Sequence, residues 1–232
     1  MKRLTQKKNK ALLIAVCAAA AAVLALALWL CLWSSGDSEL PWTTREVQLD
    51  AGHGLQIVES GSYTGPYWED GSDEQVDGVR TIVLHNDSGK DLQYAKLTLV
   101  YPDGQTAQFA LTNLPDGEKA VVLESSRMAA CEELPVAATA ENVVLLDEML
   151  LHEDIFSVTG ADGVLTVKNT SAEDIGGDVY IYYKNVSEGT YHGGITYRAK
   201  ITGGIDAGEQ YQVSTQHYDT ETSQILMITY GD

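Results

Sequence analysis

Cysteine is too scarce for a disulfide-stapled fold. Cys17 and Cys31 lie in an uncharged run near the start, which leaves Cys131 alone in everything that follows. No disulfide can form within that remainder, where a secreted eukaryotic domain would often use one. The pattern points to a bacterial envelope protein. Cys131 itself reads as a buried small apolar side chain rather than a thiol that links two chains. Basic residues are sparse too. Beyond Trp33 there are ten Lys and Arg against all 33 Asp and Glu, a net charge of −23. Such a field disfavours nucleic acid and anionic lipid as partners of that part and favours solubility. Histidine is scattered (His53, His85, His152, His192, His217) with no pair at i, i+4, so the spacing that sets two imidazoles on one helix face is missing. The chain has no G-x-S-x-G elbow, no S-x-x-K pair, no P-loop, and no G-x-G-x-x-G after a strand. The sequence assigns no catalytic residue, metal ligand or cofactor.

What is present begins with the first ten residues, which carry Lys2, Arg3, Lys7, Lys8 and Lys10 and no acid. Residues 11–33 follow without a charge. At about 1.5 Å rise per residue a helix over them reaches roughly 34 Å, enough for the ~30 Å hydrocarbon layer. This predicts a basic cytoplasmic tail (1–10) and a transmembrane helix (11–33) that contacts the lipid bilayer, with the C-terminus outside. Trp29, Trp33 and Trp42 suit the outer water–lipid boundary. A cleaved signal peptide is the competing reading. Its apolar region usually runs only ~7–15 residues, and a cut at "CAAAAAV" would leave "LALALWLCLW" exposed. Residues 34–51 read as a polar stalk.

The rest consists of short apolar runs cut by Gly, Asp and Pro, a pattern of many short strands. It repeats. At a shift of 83, Asn86 falls on Asn169, Ser88 on Ser171, Asp91 on Asp174 and Leu92 on Ile175. At a shift of 91, "LPDGEKAVV" (114–122) falls on "IDAGEQYQV" (205–213). The second copy therefore has a longer loop or hairpin. Two copies of one strand–turn plan predict an all-β fold: two tandem immunoglobulin-like antiparallel β-sandwich domains, at 52–150 and 151–232. The alternation rule places Leu97 and Leu99 inward. By the repeat Tyr180 and Tyr182 join them, with Val179, Ile181 and Tyr183 on the other face, towards a neighbouring domain or partner. The repeated Asn86 and Asn169, although they begin N-x-S sequons as Asn185 does, fit local turns to their own backbone.

Chemistry-bearing residues concentrate in "YTGPYWEDGSDEQVDG" (63–78). Tyr63, Tyr67 and Trp68 precede Glu69, Asp70, Asp73, Glu74 and Asp77 there, and the segment has no equivalent in the second copy. The spacing does not fit an EF-hand. A solvated acidic loop is the plain reading, and a binding surface of Tyr63, Tyr67, Trp68, Glu69, Asp70, Asp73 and Glu74, with Tyr183, is the functional one.

The segments "HNDSGKDLQYAKLTLVYPDG" (85–104) and "KNTSAEDIGGDVYIYYKN" (168–185) resemble FxLYD-like domains, immunoglobulin-like modules on surface proteins of Gram-positive bacteria. The literal five-letter signature is absent. The resemblance implies an envelope location, an adhesive or scaffolding role, and no catalytic residues. The expected function is a membrane-anchored, non-catalytic binding or scaffolding protein whose partner is an unknown envelope protein or polymer. Alternatives are an envelope hydrolase that uses acids of the 69–77 loop, or a calcium-dependent adhesive module.

Overall fold

The short apolar runs become strands throughout the computed structural model, which describes residues 40–231 and contains no helix among them. The expected tail (1–10) and anchor (11–33) lie outside the described residues. No helix within them is long and apolar enough to cross a membrane. The stalk reading is corrected from Trp42 onward. Trp42–Gly52 is strand β1, paired antiparallel with β2 (Leu55–Pro66). Its aliphatic residues, Val47, Leu49 and Ala51, alternate with Gln48 and Asp50, so one face can be buried while the other stays wet.

In the first half β2 pairs β3 (Gln75–Asn86), and β3 pairs β6 (Lys119–Leu123). Strand β4 (Asp91–Val100) lies between β5 (Thr106–Leu114) and β7 (Ala137–Leu146). The second half repeats this scheme. There β8 (Phe156–Ala161) pairs β9 (Val164–Asn169), and β9 pairs β13 (Gln210–Ser214). Strand β10 (Asp178–Ser187) lies between β12 (Tyr197–Ile201) and β14 (Ser223–Gly231). All these pairings are antiparallel.

The repeat extends to individual hydrogen bonds. Asn86 is fully buried, and its side-chain amide donates to the carbonyls of Lys90 (2.9 Å) and Leu114 (3.0 Å), while its oxygen accepts from Ser88 Oγ (2.7 Å). Asn169, equally buried, donates to Glu173 (2.7 Å) and Ile205 (3.0 Å) and accepts from Ser171 Oγ (2.7 Å). Asp91 and Asp174 each accept a backbone N–H from the matching turn, that of Asp116 and that of Ala207. Burial of both asparagines follows from saturation of their donors and acceptors, since a buried polar group left unpaired is costly.

One residue upsets the correspondence. Between Leu92 and Lys96, β4 is irregular against β7, and its alternation slips, so that Leu92 and Ala95 are both buried. The second half lacks this bulge. Leu97 therefore answers to Val179, not Tyr180, and a one-residue slip exchanges the faces of everything after it. The tyrosine assignment is thus corrected. Val179, Ile181 and Tyr183 fill the second core, whereas Tyr180 and Tyr182 are half-buried on the opposite face. Leu97 and Leu99 point inward as read, and burying each contributes roughly 1.5–3 kcal/mol.

The opposite face of β10 is not a solvent face. Tyr182 packs on the first core, which also takes in Tyr191, Leu226 and Met227 of the second half. The extra length of the second copy extends the β10 hairpin and supplies β11 (Thr190–His192), which adds parallel to β6 of the first half. The described residues from Pro41 on accordingly form one compact unit, with packing that runs across position 150. Cys131 corrects its expectation as well: it lies exposed in the loop before β7.

Candidate functional site

The acidic–aromatic segment is the tip of the β2–β3 hairpin, and it folds against the second half of the chain. Tyr67 N–H bonds Glu74 C=O (2.8 Å) and Gly71 N–H bonds Trp68 C=O (3.1 Å), which closes the tip. Asp70 and Glu74 grip Arg127 at 2.8 and 2.6 Å, and the Arg127 guanidinium lies 4.4 Å above the Tyr67 ring. Asp73 approaches His217 at 3.4 Å, and Asp77 accepts the Thr64 hydroxyl. The carboxylates that looked like one cluster thus go to separate partners. Among the described residues no three His, Cys, Asp or Glu come together in a way that could hold a metal ion.

Glu69 is set apart. Its oxygens accept N–H groups from Leu123 (2.8 Å) and Gly194 (2.8 and 2.9 Å). On the other side of the same segment, fully buried Lys184 donates to the carbonyls of Gly193 (2.7 Å), Gly194 (3.2 Å) and Ile195 (2.8 Å). A three-residue stretch of backbone is therefore held between a carboxylate and an ammonium. Gly194 is needed there, because a Cβ would lie 1.9 Å from the Ala110 carbonyl oxygen. Burial pushes the Glu69 carboxyl up, against the pull of its backbone N–H donors and of Lys184. Burial likewise pushes Lys184 down, and the Glu69 charge opposes that. The hydrogen bonds fit the charged forms: the ammonium has one acceptor for each of its three donors, and the carboxylate receives only donors.

Aromatic rings close the junction. Trp68 stacks on His192 (centroids 4.7 Å apart, planes at 10°), and Trp42 and Tyr63 meet Trp68 edge-on. His192 Nε2 is buried without a hydrogen-bond partner among the described residues. Desolvation, then the Lys184 charge, holds its pKa down at about 4. The folded state therefore stays neutral while the unfolded chain takes up a proton as pH falls through 6.5. This contribution to stability is whole above that value and is lost as pH falls towards 4. The raised Glu69 carboxyl acts with the opposite sign. Melting curves of the wild type and of His192→Phe separate the two. The variant, which keeps a ring against Trp68, is expected to lose less stability over that interval.

Of the residues read as a binding surface, Tyr63, Tyr67 and Tyr183 are buried, and Trp68 and Glu69 are half-buried in the junction. Asp70 and Glu74 are exposed but tied to Arg127. Burial pushes Tyr67 up to about 12, and its hydroxyl donates to the Glu124 and Ser125 carbonyls. The segment thus leaves Asp70, Glu74 and Asp77 in water while Trp68 and Glu69 pack against the second half. Lys184, His192 and Gly194 were missed. The signal that could have found them is the coincidence of "HGG" with the extra length of the second copy. A cleft of about 180 Å³ beside Glu69, Tyr67 and Arg127 falls below the ~300 Å³ of ordinary ligand sites. No protein-family model matches this chain, and no curated protein matches it.

Proposed function

We propose that the chain is a membrane-anchored, extracytoplasmic binding or scaffolding protein of a bacterial envelope, non-catalytic. In this reading two tandem immunoglobulin-like sandwiches stand outside one spanning helix at 11–33. The observation that carries it is the fate of the chemistry-bearing residues. The two that most resemble a reactive pair, Glu69 and Lys184, are both spent on the backbone of residues 193–195. A hydrolase built on the 69–77 acids would need two free carboxylates facing one another across a groove, and these acids instead face Arg127, His217, the Thr64 hydroxyl and main-chain N–H groups. The uncharged run with its basic flank and the strongly acidic remainder support the anchor and the outward orientation. The resemblance to FxLYD-like modules of Gram-positive surface proteins supports the same location, with an envelope protein or polymer as partner.

Cys131 supplies the test, because it is exposed and no other cysteine lies beyond Trp33. In bacteria that express the chain with Cys17→Ser and Cys31→Ser, a membrane-impermeant maleimide is expected to label Cys131 as fully in intact cells as after lysis. Labelling only after lysis would put this part of the chain inside the cell and overturn the reading.

A further inference from the structure

One strand of the first half has no counterpart in the second. Pairing by pairing, β2 to β7 answer to β8, β9, β10, β12, β13 and β14, and β1 answers to nothing. In the first half β1 runs antiparallel along β2, with Leu49 opposite Ile57, and packs against β7. It thereby sets Val47, Leu49 and Ala51 into the first core. Ile57 pairs with Leu84, and its equivalent Val158 pairs with Val167, so the vacant lane lies beside Val158.

That lane is open. Strand β8 is the outermost of its sheet, and β14 pairs with no strand but β10; among the described residues only the Phe156 N–H and the Ile228 N–H are taken, by the carbonyls of His152 and Leu150 in the preceding segment. Between them is a groove of about 320 Å³ lined by Leu151, Phe156, Val158, Ile225 and Ile228, with Glu153 on the rim. Leu150, beside it, is 47 % exposed. The Thr170 N–H bonds the Ile155 carbonyl. By the antiparallel alternation, residues 157 and 159 then face β9, and Val158 turns its N–H and C=O outward along the free edge. The adjoining segment 148–154 carries Glu148, Glu153 and Asp154 and no Lys or Arg.

We propose that this groove is a strand-acceptor site. An extended segment of a partner protein adds antiparallel to β8, inserts aliphatic side chains at three alternate positions, and sets a Lys or Arg against Glu153. The chemistry of the occupant is read from β1, which closes the equivalent gap in the same chain, and main-chain pairing with alternate apolar pockets is how edge strands take peptides. The proposal rests on the binding reading above. The Cys131 labelling tests location alone, so either can fail without the other.

The test uses the full chain in detergent and a fluorescein-labelled nonapeptide of alternating valine and threonine with lysine at both ends. Saturable binding is expected. It should weaken by about tenfold or more when the amides on one edge of the peptide are N-methylated, and little when those on the other edge are. Glu153→Lys, a surface change, should weaken binding several-fold. Val158→Pro should abolish it while circular dichroism stays unchanged, because proline at an edge position removes only an outward N–H. No saturation by about 1 mM peptide would overturn the proposal. So would equal effects of methylation on both edges, or undiminished binding to folded Val158→Pro. Self-association that the peptide competes away would assign the groove to a second copy and overturn the partner strand.

Discussion

Replacing Lys184 by methionine is expected to destabilise the protein by about 3–5 kcal/mol. Methionine keeps much of the apolar stem but brings no donors. The carbonyls of Gly193, Gly194 and Ile195 then lose the group they share, at 2.7, 3.2 and 2.8 Å in the wild type. Glu69 loses the cation whose charge offsets its desolvation. Removing one member of a buried pair costs more than the pair contributes, because the survivor stays desolvated and uncompensated. For a chain of this size each kcal/mol moves the melting temperature by roughly 2–4 °C, so a fall of about 10 °C is expected in a thermal melt of the full chain. The double variant Lys184→Met, Glu69→Gln should recover part of the loss, since the residual charge is gone. A single variant that melts within about 1 °C of the wild type would show that the ammonium does not hold the 193–195 segment.

That network was out of reach of the sequence for a physical reason. Glu69 and Lys184 belong to different halves, and nothing in the local pattern around either announces the other. A lysine after "VYIYY" reads as the wet end of a strand, and an acid in "WEDGSDE" reads as one of several solvated charges. What is legible is local: alternation, turn residues, and the repeated Asn-x-Ser and Asp-Gly or Ala-Gly turns, which together mark a chain of short strands repeated once. The alternation rule misplaces the faces of β10 because nothing in the sequence marks the break in the repeat after Leu92, where β4 is irregular against β7. A period-2 structure does not tolerate a miscount of one. Strand β1 was read as a stalk because Arg45, Glu46 and Asp50 lie on its exposed face and hide the alternation of Val47, Leu49 and Ala51.

The buried asparagines give the second large effect, and a stricter test of the duplication. Asn86→Ala and Asn169→Ala should each cost about 3 kcal/mol, since each deletes the amide's bonds to the turn and to the facing strand, together with the serine bond to its oxygen, at a buried position. The two costs should agree closely because the bonds correspond partner for partner. The only excess at Asn86 is a longer contact to the Pro115 carbonyl at 3.2 Å. Ser88→Ala and Ser171→Ala remove one hydroxyl bond to the asparagine and should cost about 1 kcal/mol each. Calorimetry of the four variants measures both magnitude and cooperativity. Because Tyr182, Tyr191, Leu226 and Met227 pack on the first core and β11 extends the sheet of β6, a lesion at Asn169 should lower one shared transition instead of splitting it. Two separate transitions, with the first half melting as in the wild type, would mean that the junction transmits no stability. A neutral Asn169→Ala would mean that the second copy keeps the residues of the repeat without their energetic role.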